Sequence, residues 1–110
     1  MMVAHTAGAD YAFVHHWNNA RRLGIPPEKL ARLADYESSP LFDEQERTVI
    51  RYAAEATRNV AVSDATFSAV RGFLDNRRLM ELILNVASYN LIVRVLLPTG
   101  VELEPDLKAE

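Results

Sequence analysis

Apolar residues recur along the chain at intervals of three and four, the period of an α-helix with one face turned to a core. No stretch shows the strict alternation of a strand, and neither repeats nor a low-complexity linker interrupt the pattern. Five helical segments account for most of the sequence. The first covers residues 3–23, with Gly24 as its C-terminal stop and Gly8 as a candidate break near its start. In "IPPEKLARLADYE", Pro26 and Pro27 suit a helix entrance, where a missing N–H forfeits no intrahelical bond. Leu30, Leu33 and Ala34 follow as its apolar stripe, and Pro40 disfavours helix at Ser39.

The third segment, "DEQERTVIRYAAEATRN", opens with a capping box in which Asp43 caps and Glu46 returns the bond. Val49, Tyr52, Ala53 and Ala56 form its inner face. Ser63 caps the fourth segment, with Val62 and Phe67 placed as a hydrophobic staple and Val70 and Leu74 continuing the stripe. The fifth begins after Asp75 or Asn76 and is expected to stop before Pro98. Its apolar residues run almost all the way round, from Leu79 and Met80 to Leu96 and Leu97. Such a helix must be covered on most sides, and a domain of this size cannot easily enclose it. The pattern therefore predicts an all-α, compact helical domain of about five helices that assembles as a homo-oligomer. The acidic tail "VELEPDLKAE" is expected to be frayed or docked on a neighbour.

Composition narrows the choice of function. The 110 residues make one domain, 1–110, long enough for a single core. The formal charge of −3, with arginines scattered, gives no polybasic footprint, so nucleic acid is not expected as a ligand. There is no cysteine, which removes disulfides, thiolate metal sites and cysteine nucleophiles. The start "MMVAHTAGAD" lacks a basic region followed by an apolar core, so a cytoplasmic location is expected. Residues 77–100 approach the length of a membrane span, but Glu81, Asn85, Asn90 and Arg94 interrupt them, and a buried helix is the expectation.

Candidate chemistry centres on "VHHW". On a continuous helix His5, Ala9, Ala12 and His16 share one row, while His15 points about 100° away beside Tyr11. The adjacent histidines therefore do not converge on one ion. His5 and His16 stand about 16 Å apart along the axis, and no HxxxH or ExxH spacing is present. Neither a metal nor another cofactor is expected. His16 reads either as a packed core histidine or as a general acid/base, the role its near-neutral titration allows.

The stretch "GADYAFVHHWNNARRLGIPPEKLARL" resembles the carboxymuconolactone decarboxylase family, which includes the alkylhydroperoxidase D-like proteins. Tyr11, His16, Ala20, Arg21, Gly24 and Ile25 carry the resemblance. "SPLFDEQERTVIRYAAEAT" and "VSDATFSAVRGFLDNRRLMELILNVASYNLIVR" extend it in the same order over most of the chain. It implies an alkylhydroperoxidase D-like fold and a lyase or isomerase-type enzyme acting on a small carboxylated or lactone compound. His16 would then shuttle a proton, with Tyr11, Asn90 and Arg94 as substrate contacts and the Arg94 guanidinium suited to a carboxylate.

The departures are equally specific. In the thiol-dependent branch two cysteines would stand where this chain has Ala9 and Ala12, and alanine supplies no thiolate, so thiol peroxidase activity is not expected. In the cysteine-free branch a glutamate often stands at the position of Ala12. A further family glutamate, twelve residues before Ala9, falls ahead of Met1, so this domain is expected to lack the family's N-terminal helices. These losses keep a second reading open, a non-catalytic oligomeric binding or structural protein of the same fold.

Overall fold

The structure is a computed structural model and describes residues 1–109. Among the described residues there are six α-helices: α1 (Met2–Ala7), α2 (Asp10–Arg22), α3 (Pro27–Ala31), α4 (Glu44–Asn59), α5 (Asp64–Arg71) and α6 (Asn76–Thr99). A 3-10 turn, Leu33–Asp35, follows α3, and there is no strand among the described residues. The all-α expectation holds.

Five expected segments become six helices because the first divides at Gly8. This residue sits at φ 67°, ψ 32°, a left-handed conformation that costs glycine no Cβ clash. Its N–H donates to the His5 carbonyl, and the Ala9 N–H donates to the Ala4 carbonyl, the paired bonds of a Schellman closure. His5 therefore belongs to α1, and the single row from His5 to His16 does not exist. A second correction lies at the other end, where α6 continues through Pro98. The ring forfeits one bond, to the carbonyl of Arg94, and both residues lie on the exposed side of the last turns, open to water. The stop comes at Gly100 (φ 64°), again with paired bonds back to Leu97 and Leu96.

The remaining starts form as their side chains dictate. Asp43 accepts from the Glu46 N–H at 2.8 Å while Glu46 accepts from the Asp43 N–H at 3.0 Å. Ser63 caps α5 and Asp75 caps α6. Glu55 reaches across the α4–α5 turn to accept from the Ser63 N–H at 3.2 Å and the Thr66 hydroxyl at 3.0 Å. Between these helices Val60 takes φ 63° and is left in solvent, a strained setting for a β-branched residue.

Short α1 is the centre of the assembly. Met2, Val3 and Ala4 are all buried, and the helix packs against α4, α6 and α2. Tyr52, Ala53 and Ala54 of α4, Val70 of α5 and Val86 and Val93 of α6 complete the core with Phe42 and Tyr36 from the α3–α4 connection. That connection is clamped by Arg47, whose Nη2 donates to the Ser39 carbonyl at 2.8 Å and whose Nε donates to the Tyr36 carbonyl at 3.3 Å. Removing the guanidinium leaves two carbonyls without their charged donor. Arg47→Ala should therefore cost about 2–3 kcal/mol in urea unfolding, with Arg47→Lys recovering only part, because one ammonium cannot span both carbonyls.

The tail is a third correction. Its described residues, 101–109, are not frayed but fold back along α2, and Glu110 lies outside the described residues. Leu103 and Leu107 are half-buried, and the Asn18 side-chain amide donates to the Lys108 carbonyl at 2.9 Å. The reversal at Gly100 aims the chain back in this direction.

α6 keeps an apolar outer surface. Only Val86 and Val93 are buried in it, and the helix has the length and composition to cross a membrane. Its inner face is nevertheless committed to α1, α4 and α5.

Candidate functional site

Because α2 leans on α1 rather than on α6, a hollow remains between α2 and α6. It forms a cavity of about 640 Å³, within the range of small-molecule sites. Most of its wall is apolar. The polar side chains along it are His16 and Asn19 of α2, Lys29 of α3, Gln45 and Glu46 of α4, and Asn85 of α6.

His16 meets the edge of the Tyr89 ring at 4.7 Å between centroids and 88° between planes. This contact fixes the imidazole against α6 and leaves it on the cavity wall. Burial holds the His16 pKa below the ordinary imidazole value, with the positive chain terminus and His15 adding in the same direction. The neutral ring, which can accept a proton, is thus the resting form at neutral pH.

The sign of the linked stability follows. The folded state binds a proton on His16 less readily than the unfolded chain, so this contribution is complete above the unfolded pKa of about 6.5 and falls away as the pH drops toward the lower folded value. Thermal unfolding followed from pH 8 to pH 5 should therefore show a decline in Tm that is smaller in His16→Gln. An NMR titration of the His16 ring should place its midpoint below about 6.5. A midpoint above that value would contradict the environment described.

Lys29 is not a free cation at this site. Its Nζ lies 2.6 Å from Glu46 Oε1 and sits over the Phe42 ring at 5.4 Å. Glu46 is held in turn by the α4 capping box, so this ion pair is a fixed, internally neutralised part of the wall.

The other three expected contacts lie elsewhere. Tyr11 packs against His15 with ring centroids 4.5 Å apart and planes tilted by 46°, and both reach Glu104 of the tail, His15 Nε2 at 3.2 Å. Asn90 donates to the Thr57 hydroxyl at 3.1 Å and to the Val86 carbonyl at 3.0 Å. Arg94 folds along its own helix onto the Asn90 carbonyl and side-chain oxygens. The reason is helical phase. Asn85 and Tyr89 share the cavity edge of α6, and a one-residue step to Asn90 turns about 100° away, carrying Arg94 with it. Of the four candidates, His16 alone lines the cavity of the single chain.

Asn19 and Lys29 were not singled out in the sequence. Asn19 had a usable signal, since it lies three residues after His16 on the same helical face. Asn85, expected only to interrupt an apolar span together with Glu81, lines the cavity, whereas Glu81 pairs with Arg77 at 3.2 Å. The adjacent histidines do diverge, one toward Tyr89 and one toward the tail. Among the described residues no three of His, Cys, Asp and Glu stand together as a metal site. Comparison of the chain with protein-family models, with curated proteins and with solved structures gives no match.

Proposed function

We propose that this chain is a small acid/base protein of carboxymuconolactone decarboxylase-like, alkylhydroperoxidase D-like character, acting on a small carboxylated or lactone compound held between α2 and α6. One observation carries the reading: His16, kept neutral by its burial, stands on the wall of a largely apolar cavity of suitable volume. The apolar wall takes the body of the ligand. Asn19 and Asn85 offer amide donors and acceptors along the same wall, and His16 accepts a proton from, or returns it to, the polar end. Arg94 does not serve as the carboxylate anchor in the single chain, because Asn90 engages it on the opposite edge of α6.

A second reading, binding without turnover, is favoured by a separate observation. Ala9 and Ala12, at the positions that the resemblance gives to cysteine or acid, are 2% and 5% exposed and belong to the core. No second reactive group accompanies His16 from that direction. The distinguishing experiment follows a panel of small lactones and β-keto acids by NMR with the wild-type protein. Product formation supports the enzyme. Perturbation of His16, Asn19 and Asn85 resonances without product supports the binder, and a panel that does neither overturns both.

A further inference from the structure

The outer face of α6 is the largest apolar feature that the fold leaves to water. Met80, Leu84, Leu91 and Val95 are 52%, 58%, 65% and 55% exposed and form one stripe along the helix. Their spacing has a symmetry. Met80 and Val95 are equally far from the midpoint between Ala87 and Ser88, and so are Leu84 and Leu91. Turned end for end, the stripe superposes large residues on large and small on small.

We infer that α6 packs antiparallel against α6 of a second copy of this chain, across a two-fold axis passing between Ala87 and Ser88. Leu84 then meets Leu91 of the partner, Met80 meets its Val95, and the small side chains at the axis let the helices approach to about 8 Å. Met80, Leu84, Ala87, Leu91 and Val95 stand four, three, four and four residues apart, close to the spacing of a coiled-coil seam. With Ile92, Ala87 and Ser88 alongside, the surface available is on the order of 500 Å² per chain. That lies toward the upper end of what a monomer leaves exposed and is more than half of the roughly 800 Å² per partner of a specific complex. The inner face of α6 is already used by α1, α4 and α5, so the pairing needs no rearrangement of the core. The inference is independent of any role for His16.

Sedimentation velocity over a micromolar to submillimolar range, with and without anionic phospholipid vesicles, tests it. The wild type should sediment as a dimer. Leu84→Glu places two carboxylates in the seam and should raise the dimer dissociation constant at least ~100-fold, with helical circular dichroism unchanged. Since the chain has no cysteine, Ser88→Cys gives a second readout. Beside the axis its Cα lies about 5–6 Å from its copy, so mild oxidation should link the dimer through a disulfide, while Ser38→Cys should not link. A wild type that stays monomeric, a dimer indifferent to Leu84→Glu, or a Ser88→Cys that fails to link would overturn the pairing. Co-sedimentation of a monomer with vesicles would overturn it in favour of a lipid surface.

Discussion

His16→Gln should lower turnover of whichever lactone or keto acid the wild type converts by about 10²–10⁴-fold, the usual contribution of a positioned acid/base group. Glutamine keeps a planar polar side chain against Tyr89 and retains hydrogen bonding, but it neither accepts nor releases a proton near neutral pH. Binding should therefore change little while kcat falls, which separates loss of proton transfer from loss of the cavity. His15→Gln serves as the control. His15 faces Tyr11 and Glu104, away from the cavity, and its replacement should leave turnover unchanged. Unchanged turnover in His16→Gln would remove His16 as the catalyst, whatever the family resemblance implies. An equal loss in both variants would point to α2 as a whole rather than to one ring.

Tyr52→Ala should cost about 3–5 kcal/mol in urea unfolding, a large share of the 5–15 kcal/mol typical of a domain. Tyr52 is 6% exposed and lies on the inner face of α4, the helix that meets α1, α5 and α6. Its removal opens a void at the junction of these elements, and buried Met2, Val3 and Ala4 belong to a helix too short to stand alone. Tyr52→Phe keeps the ring volume and should cost no more than about 1.5 kcal/mol. Burial raises the Tyr52 pKa, as expected of a phenol whose charged form is poorly solvated there. If the alanine and phenylalanine variants lost similar stability, the hydroxyl rather than the packed ring would be the main contribution.

Much of this architecture was legible because it is local. A capping box needs only Asp43 and Glu46 at the right spacing, and Ser63 and Asp75 announce the next two helices in the same way. The inner faces of α4 and α5 follow from a period that any amphipathic helix must obey. Pro98 shows the limit of local signals. Proline usually ends a helix, but in a last turn open to water the lost bond is tolerated until Gly100 ends it. Gly8 was visible as a candidate break, yet whether a helix divides there depends on what its two halves pack against.

The site divides along the same line. Sequence alone determined an all-helical chain, the positions of its caps, the divergence of His15 from His16 and the absence of any thiol chemistry, because each depends on residue type and on neighbours within a turn. Tertiary structure alone decided that His16 faces a cavity, that Asn19 and Asn85 share it, that Asn90 turns to Thr57 while Arg94 folds onto Asn90, and that the tail returns to α2. These depend on the rotation of one helix against another, where a single residue of phase is about 100° and moves a side chain from cavity to surface. No spacing within one helix encodes that angle. It is set by how the large and small residues of α1, α4 and α6 fit together.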